Sequence, residues 1–457
     1  MQTDTDVLVI GAGISGLTAA FALRARGLRV EIADAAARAG GVIGTEKTEG
    51  VLYERGPNSI LDTHPRIREL LQKLELTSER VDASPLASRR YIVRGGRLSA
   101  LPTSPPAFLK TRAFSAGAKL RLLLEPFIAR ARADEREESV TGFVERRLGR
   151  ELLDYAVEPF VAGIYAGNPD ELSLRAAFPR LHALEQRYGS LIKGQFLGAR
   201  ERAREGARGK NVATSFSFRD GVQALPDALA RAIGEVRTSA RATRIRVSDN
   251  RQLVVSIEGA DGSFDLAARA VVLALPAYRA AELLREHAPA AASALMAIPY
   301  APIVSVALAF ARVDVAHPLD GFGFLAPRVE RRRILGSLFS SSMFQGRARD
   351  GEVLLTSYVG GRRDPSIFAA TDAAIVAHVR DELADLVGAR GEPRFSAVTR
   401  WREAIPQYAI GHLERIERAR TAEAIVPGLY LCGSYAGGVS VGDCIASAFA
   451  TAEHVTI

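Results

Sequence analysis

The chain has 457 residues, of which 47% are hydrophobic and 25% are charged, as in ordinary globular proteins. This composition excludes a chain that is disordered throughout, and the length predicts two or three domains rather than one core. The formal net charge is +8, from 60 Lys and Arg against 52 Asp and Glu. A basic balance suits nucleic acid, an anionic membrane or an anionic substrate, and by itself does not choose among them.

The two cysteines, Cys432 and Cys444, are too few for a disulfide framework, and their spacing is not that of a metal site. We expect both as buried thiols in a reducing cytoplasm. The first predicted strand begins at residue 6, which leaves no room for a signal or transit peptide before it. No apolar run reaches the roughly 18 residues that a membrane-spanning helix needs. The sequence therefore predicts a cytoplasmic protein, either soluble or peripheral to a membrane.

The N-terminal segment carries the strongest pattern in the chain. Residues 6–10 have the composition of a short buried strand, and Gly11, Gly13 and Gly16 follow it in the spacing Gly-x-Gly-x-x-Gly. An apolar helix comes next, and a second strand ends at Asp34, roughly 20 residues beyond the glycines. Strand, glycine turn, helix, strand and acid in this order predict a dinucleotide-binding βαβ unit.

Each residue of this unit has a physical role in binding a dinucleotide. Gly11 makes the tight turn, Gly13 lets the backbone approach a pyrophosphate, and Gly16 lets the helix pack on the sheet. Ile14 and Ser15 lie at the N-terminus of the predicted helix, where free N–H groups and a partial positive charge suit phosphate. The carboxylate at position 34 is expected to accept hydrogen bonds from a ribose.

The residues that follow favour FAD over NAD. Arg38, Gly40 and Gly41 form an Arg-x-Gly-Gly sequence shortly after the acid. The arginine can hold phosphate, and the paired glycines let the backbone lie close to a cofactor. A later stretch, Gly56-Pro57-Asn58, suggests backbone laid beside a flat ring, although a simple turn explains that stretch equally well. The sequence thus predicts FAD as the cofactor.

The C-terminal region predicts a second set of contacts to the same cofactor. Residues 429–431 have the composition of a strand that ends at Gly433 and Ser434, and a glycine-rich turn containing Val439 and Val441 follows. A helix is predicted to begin near residue 443. A strand, a turn of small residues and a helix N-terminus suit phosphate and flavin contacts.

The chain between these regions predicts an α/β fold with a Rossmann-like, discontinuous FAD-binding domain. Strands separated by turn signals indicate a mixed-sheet substrate domain, and residues 107–210 have mainly helical character. The predicted domain boundaries are 1–88, 211–280 and 399–457 for the FAD-binding domain, 89–98 and 281–398 for the substrate domain, and 99–210 for a helical insertion. Residues 163–169 are predicted to form a glycine-rich turn between helices of the insertion.

One helix of the insertion is predicted to be amphipathic. Leu120, Leu123, Leu124 and Phe127 recur at helical spacing with cations alongside, and Pro126 is expected to kink or end the helix. Such a helix either lies on an anionic membrane surface or packs its apolar face on the protein core. Amphipathicity alone favours packing on the core.

Hydrolytic and metal chemistry have no motif in the sequence. There is no Gly-x-Ser-x-Gly elbow, no His-Glu-x-x-His and no Cys-x-x-Cys, and the seven histidines are scattered without ligand spacing. The redox chemistry is therefore expected from the flavin, with the protein supplying binding and orientation in a mostly apolar pocket.

Together these motifs resemble those of the oxygen-dependent protoporphyrinogen oxidases, which lie within the FAD-dependent amine-oxidase superfamily. The glycine fingerprint and the Arg-x-Gly-Gly sequence are common to the superfamily. Three elements are more specific to the oxidases: Gly-Ile-Tyr-Ala-Gly at 163–167, Gly-Phe-Gly-Phe-Leu at 321–325 and Ile-Pro-Gln-Tyr at 405–408.

The resemblance implies a three-domain flavoprotein whose helical insertion is membrane-associated, so the lipid-facing alternative becomes as strong as packing on the core. It implies the six-electron oxidation of protoporphyrinogen IX to protoporphyrin IX in haem biosynthesis, with O2 as electron acceptor and H2O2 as product. Peripheral contact with the inner face of the cell membrane, a homodimer and hand-off of the product to ferrochelatase are further expectations. A nucleic-acid partner is not expected.

Site residues are also carried over from the resemblance. Arg90 would pair with a substrate propionate, with Arg89 as the neighbouring alternative, and arginine's planar fork suits a carboxylate. Gly163 would lie beside the reacting methylene as the catalytic position, and Trp401 would contact FAD. The walls around the macrocycle would be Phe322, Leu325, Leu338 and Tyr358. Tyrosine at 358 departs from the commoner phenylalanine or methionine, which concerns the shape of the pocket rather than the reaction.

Three alternatives stay open at this stage. Coproporphyrinogen III, with four propionates rather than two, is oxidised by close relatives with the same motifs. A flavin amine oxidase or carotenoid desaturase shares the flavin signatures but should lack the three oxidase-specific elements. A prenyl-protein escort uses this fold without flavin, which would make the intact phosphate glycines vestigial.

Overall fold

The structure is a computed structural model that describes residues 5–102, 104–111, 113–130, 137–204 and 214–457. The strands in these ranges are β1 Val7–Ile10, β2 Val30–Ala33, β3 Thr45–Thr48, β4 Val51–Glu54, β5 Ile60–Leu61, β6 Arg80–Asp82, β7 Arg89–Arg94, β8 Arg97–Ala100, β9 Ser215–Phe218, β10 Arg241–Val247, β11 Leu253–Gly259, β12 Gly262–Ala268, β13 Ala270–Leu273, β14 Tyr300–Ala311, β15 Gly321–Leu325, β16 Ile334–Leu338, β17 Glu352–Gly360, β18 Phe395–Pro406 and β19 Leu429–Leu431. The helices are α1 Ile14–Ala25, α2 Pro65–Lys73, α3 Pro105–Lys110, α4 Ala116–Leu123, α5 Val140–Arg147, α6 Arg150–Leu152, α7 Glu158–Tyr165, α8 Leu174–Ala177, α9 Pro179–Tyr188, α10 Leu191–Arg204, α11 Ala224–Ile233, α12 Ala277–Leu284, α13 Pro289–Met296, α14 Ser340–Met343, α15 Asp372–Val387, α16 His412–Ile425, α17 Ser434–Gly437 and α18 Val441–His454.

Four parallel strands form one sheet in the order β19-β13-β1-β2. Every residue of β1 is buried, and the strand pairs with β2 from Val7↔Val30 to Ile10↔Ala33. Both faces of the sheet are apolar because helices cover both of them, as in other parallel sheets. Helices α1, α11 and α18 pack on one face, and α12 and α13 on the other. The predicted βαβ unit is therefore present, with α1 connecting β1 to β2.

A second sheet has seven strands in the order β18-β14-β17-β16-β15-β7-β8. Its neighbouring strands are antiparallel except for β15 and β7, so the sheet is mixed. Helix α15 covers one face of it with Ile375, Val379 and Leu383. The predicted α/β architecture with a mixed sheet is confirmed.

The chain from α3 to α10 is helical and lies between β8 and β9 in sequence. The predicted insertion starts at residue 99, and its first helix begins at Pro105; its predicted end at 210 lies outside the described residues. Helix α4 ends at Leu123 and a short 3-10 turn follows over Glu125–Phe127, so Pro126 lies beyond the helix end, as expected. Among the helices of the described ranges, none is both long and apolar enough to cross a bilayer.

The prediction of a turn over residues 163–169 is wrong at its beginning. Gly163 lies in the last turn of α7, and the helix continues to Tyr165, where the C-cap residue Ala166 has a left-handed φ of +46°. The amide of Ala166 donates to the carbonyl of Ala162, which completes the helical pattern through this region. The glycine at 163 does not break the helix; it leaves space, because a Cβ there would lie 3.1 Å from the Cδ2 atom of Leu325.

Candidate active site

A cavity of about 570 Å³ lies where the carboxyl ends of the parallel strands meet the mixed sheet. One side is formed by residues that follow β1, β2, β13 and β19, the edge at which α/β sheets bind ligands. The other side is formed by residues of β14 to β18. The predicted cofactor residues that line the cavity are Gly11, Gly13, Ile14, Ser15, Asp34, Gly40, Gly41, Gly56, Pro57, Asn58, Trp401, Gly433, Ser434, Val439 and Val441. Gly16 and Arg38 are not among the lining residues.

The glycine turn after β1 is built around two close contacts and one open position. Gly11 has a φ of +104°, and a Cβ there would lie 2.3 Å from the carbonyl oxygen of Ala274. At Gly16 a Cβ would lie 1.8 Å from the carbonyl oxygen of Gly11, so α1 sits directly on the turn. A Cβ at Gly13 would meet no atom within 4 Å, because this glycine faces the cavity. The open position lies at the N-terminus of α1, where phosphate is favoured.

Asp34 and Arg38 are both fixed by the backbone around them. The Asp34 Oδ2 atom accepts from the amide of Ala12 at 2.6 Å, and Oδ1 accepts from the amide of Ala36 at 2.7 Å. Each oxygen keeps capacity for a further bond, so the carboxylate can receive a ribose hydroxyl at the cavity wall. The Arg38 guanidinium instead donates to the carbonyl of Ile43 at 2.8 Å and to Gln223 Oε1 at 2.7 Å, and burial lowers its pKa. Arg38 thereby holds the 38–43 loop, and its contact with phosphate stays a prediction.

The segment around Gly56 lies against this loop and is held from two sides. A Cβ at Gly56 would lie 2.1 Å from the carbonyl oxygen of Val42, so the two backbones touch. The Trp401 indole donates to the carbonyl of Arg55 at 2.8 Å. Asn58 Nδ2 donates to the Tyr358 hydroxyl, which joins this segment to β17. A backbone fixed in this way can lie flat beside a planar ring.

The C-terminal turn completes this half of the cavity. Gly433 follows β19, and Ser440 caps α18 by accepting from the amide of Asp443 at 3.1 Å. The Tyr408 hydroxyl donates to the carbonyl of Ser434 and accepts from the amide of Gly438. The N-terminus of α18 thus reaches the cavity as a second helix N-terminus. It belongs to the same hydrophobic core as the N-terminus of α1.

The other half of the cavity is mainly apolar. The structure brings the predicted residues Gly163, Phe322, Leu325, Leu338 and Tyr358 together in its lining. Sequence reasoning missed further lining residues that come from α7 and from strands β14, β15 and β16: Ile164, Ile303, Phe324 and Leu335. The missing signal is strand pairing, which sets Ile303 of β14 opposite Trp401 of β18.

Gly163 gives this half a backbone acceptor. It lies in the last turn of α7, where carbonyl groups have no partner within the helix. No donor of the described residues contacts the Gly163 carbonyl. Its nearest neighbour across the cavity is the side chain of Leu325. Together they leave a narrow space between a helix backbone and an apolar side chain.

The two candidate arginines at the start of β7 have different surroundings. Arg89 forms an ion pair with Asp320, and the Tyr91 hydroxyl donates to the same carboxylate at 2.6 Å. Arg90 is exposed, and its Cζ atom lies 5.6 Å from the centroid of the Phe322 ring, which lines the cavity. Within the described residues Arg90 has no carboxylate partner. Arg90 is therefore a cation that is free to bind an anion beside the apolar half.

Comparisons with known proteins agree with a flavin-binding cavity. A family model described as flavin containing amine oxidoreductase matches residues 14–456. The chain belongs to this family. It is 35% identical to a chloroplastic protoporphyrinogen oxidase of Oryza sativa subsp. japonica, covering 100% of this chain and 89% of the relative. It is 30% identical to a coproporphyrinogen III oxidase of Bacillus subtilis, covering 96% and 95% of the two chains. A crystal structure from Exiguobacterium sp. 255-15 covers 99% of both chains with a TM-score of 0.83 at 24% identity.

These similarities confirm the resemblance that the motifs indicated, and they confirm FAD as the cofactor. The residues present fit that group. Gly13 leaves room beside the N-terminus of α1, and Asp34 offers a carboxylate at the edge of the sheet. The backbone at residues 55–58 is held in contact with the 42–43 backbone.

Proposed function

We propose that this protein is a porphyrinogen oxidase that converts protoporphyrinogen IX to protoporphyrin IX. Six hydrogens leave the macrocycle, and three O2 molecules take up the six electrons and become three H2O2. The apolar half of the cavity, joined to the FAD half and with the guanidinium of Arg90 beside it, carries this function. FAD, when bound, supplies the acceptor of each hydride and the site at which O2 collects the electrons.

The side chains of this half suit a large, mostly apolar macrocycle. Leu325, Leu338 and Tyr358 offer apolar walls, and Gly163 adds no side chain that would keep the ring at a distance. The free carbonyl of Gly163 can accept a hydrogen bond from a pyrrole N–H. These contacts exclude water from the reacting edge and fix its orientation, while a carboxylate of the substrate reaches the guanidinium of Arg90.

The charges of the lining favour a substrate with two carboxylates over one with four. Within the described part of the lining the charged side chains are Asp34, Arg55 and Glu403, and two of these are acidic. Arg55 already pairs with Glu46 at 3.4 Å. Coproporphyrinogen III, whose oxidases are also among the relatives, would bring two further propionates towards this poorly basic wall. It is the second candidate substrate.

We also propose that the helical segment is a membrane-associated domain inserted between the substrate and FAD-binding segments at the predicted boundaries. Its surface supports this: Leu120 is 58% exposed, Phe127 is 82% exposed and Phe196 is 68% exposed. Large apolar side chains that are this exposed in one segment suit an interfacial contact with lipid. Cosedimentation with anionic vesicles tests the proposal, and Phe127→Ser should weaken it more than the control Phe264→Ser on β12. A homodimer, hand-off to ferrochelatase and a cytoplasmic location stay predictions.

The experiment that tests the reaction compares both porphyrinogens side by side, following porphyrin fluorescence and oxygen uptake under air. Faster oxidation of protoporphyrinogen IX, with H2O2 formed, is the expected result. Preference for coproporphyrinogen III would replace the substrate but keep the reaction. A yellow protein that oxidises neither would overturn the proposed function.

The variant Arg90→Ala tests the arginine in the same assay. Loss of a charge-assisted hydrogen bond should raise KM about tenfold and leave the flavin spectrum unchanged. Arg89→Ala is the matched control, because Arg89 already pairs with Asp320. Equal KM values for the two variants would remove Arg90 from the site.

A further inference from the structure

Two neighbouring side chains, Gln407 and Tyr408, connect the two halves of the cavity. They follow β18 directly and are buried, with 3% and 5% of their surface exposed. Gln407 Nε2 donates to the carbonyl of Tyr165 at 2.8 Å and to the carbonyl of Ile405 at 3.0 Å. Tyr165 is the last residue of α7, so Gln407 supplies a partner that the helix end lacks.

Tyr408 makes the corresponding contact with the FAD half. Its hydroxyl donates to the carbonyl of Ser434 at 2.5 Å and accepts from the amide of Gly438 at 2.8 Å. One phenol thus closes the turn between Gly433 and Val439, and both of these end residues line the cavity. The Tyr408 ring stacks on His412, with centroids 4.2 Å apart and planes inclined by 15°, so the phenol has little freedom to move.

The helix that carries Gly163 is also anchored at its other end. Glu158, the first residue of α7, accepts from Arg363 Nη2 at 2.9 Å and from the amide of Arg328 at 2.9 Å. These contacts hold α7 against the segments that follow β15 and β17 of the mixed sheet. At the C-terminal end of α7, the Gln407 side chain, which lies outside the helical segment, donates to the Tyr165 carbonyl.

We propose that Gln407 and Tyr408 are a pair of positioning residues that set the place of the Gly163 carbonyl relative to the bound flavin. Gln407 fixes the end of α7, and Tyr408 fixes the flavin-facing turn. Because the two residues are adjacent and buried, their two separate contacts fix the position of one half relative to the other. The role of the Gly163 carbonyl rests on the proposed porphyrinogen oxidation, whereas the hydrogen bonds from Tyr408 to the turn concern FAD binding alone.

The two residues should therefore fail in different ways. Tyr408→Phe leaves the Ser434 carbonyl and the Gly438 amide without their side-chain partner, so the turn loosens and FAD binds less tightly. Gln407→Met keeps the length of the side chain but removes the donor to Tyr165, so the end of α7 loosens while the turn keeps its contact. Tyr430→Phe is the matched control, because its hydroxyl bonds to Thr456 and lies outside the lining of the cavity.

The first measurement is the dissociation constant of FAD, obtained by titrating each apoprotein and following flavin fluorescence. We expect about a tenfold increase for Tyr408→Phe and less than a twofold change for Gln407→Met and Tyr430→Phe. A dissociation constant for Tyr408→Phe equal to that of Tyr430→Phe would overturn the role of Tyr408. Equal weakening by Gln407→Met and Tyr408→Phe would overturn the division of roles, because a general loss of packing would move both.

The second measurement is amide hydrogen exchange of the FAD-loaded protein, read by mass spectrometry. Gln407→Met should speed exchange at residues 163–167 and leave the 433–439 turn unchanged. Unchanged exchange at 163–167 would overturn the role of Gln407, whether or not porphyrinogen is the substrate. The third measurement is the anaerobic rate of flavin reduction by protoporphyrinogen IX, which Gln407→Met should lower about tenfold with FAD saturating. If protoporphyrinogen IX does not reduce the flavin of the wild-type protein, the proposed function is overturned instead. The FAD titration and the hydrogen exchange would still test the roles of Gln407 and Tyr408.

Discussion

Replacing Gly163 with alanine should stabilise the protein and at the same time impair its activity. Gly163 is exposed to the cavity and lies inside α7 with helical backbone, where alanine is favoured over glycine by about 0.5–1 kcal/mol. Within 4 Å, the new Cβ would meet only the two terminal methyl carbons of Leu325, at 3.1 and 3.8 Å. The Leu325 side chain can move by a few tenths of an ångström. We therefore expect the free energy of unfolding to rise by about 0.5 kcal/mol, since Gly163 lies in the last turn.

The same methyl group should slow the reaction. It would occupy the narrow space between α7 and Leu325, which the edge of the macrocycle has to enter. One extra carbon in a close-fitting apolar pocket costs about 1–3 kcal/mol of transition-state binding, which is a loss of about 10- to 200-fold in kcat/KM. FAD content should not change, because no residue of the FAD half lies within 4 Å of the added carbon.

The assay combines steady-state oxidation of protoporphyrinogen IX with thermal unfolding of the FAD-loaded protein. Gly142→Ala in α5 is the matched control: it is also a helical glycine, its new Cβ would meet atoms only at 3.5 Å or beyond, and it is outside the cavity lining. The control should keep its activity with equal or higher stability. Full activity in Gly163→Ala, or a loss of activity accompanied by a lower unfolding temperature, would refute the placement of the macrocycle edge beside α7.

Further predictions concern the FAD cradle and a buried histidine. Gly13→Val should fold but bind no FAD, because its side chain would enter the open cavity, and a yellow Gly13→Val protein would contradict this expectation. Gly11→Ala should instead lower the unfolding temperature, since its Cβ would meet the carbonyl of Ala274. Burial lowers the pKa of His412 to about 4, and its Nε2 donates to the Tyr435 carbonyl. Because the unfolded pKa is about 6.5, the unfolded state takes up the proton first, and stability is lost from about pH 6.5 down to about pH 4. The shifted pKa of His412 alone should lower the free energy of unfolding by about 2 kcal/mol between pH 7 and pH 5. The unfolding temperature of His412→Gln should therefore depend less on pH than that of wild type. Equal pH slopes of the two unfolding temperatures would show that this histidine is protonated freely in the fold.

Local patterns in the sequence predicted several elements of the secondary structure. The strand expected at 6–10 is β1, Val7–Ile10, and the helix expected to begin near residue 443 is α18, Val441–His454. Apolar spacing along the chain is enough for such elements, because each buries a face of its own. The strand β12 was not predicted, since its first four residues are exposed and show no alternation. The end of α7 was misplaced because glycine there serves the cavity and not the helix end.

Side chains joined by distant parts of the chain could not be predicted in this way. Arg147 lies on an amphipathic helix, where an arginine is expected at the surface, yet it is fully buried between Glu125 and Glu185. The bond from Gln407 to the Tyr165 carbonyl joins residues 242 positions apart. No periodicity records such a contact, because it depends on how distant parts of the chain are packed against each other.

The sequence by itself determined the cofactor and the family, because the FAD cradle is made by short-range geometry. The need for glycine at positions 11 and 16 arises within one turn and the helix that follows it, so spacing alone reveals it. Only the tertiary structure decided which arginine is free. Arg89 and Arg90 are adjacent and project to opposite faces of β7, but Asp320, more than two hundred residues later, neutralises one of them. Charge pairing acts through space and not along the chain, so the fold alone leaves Arg90 available beside the cavity.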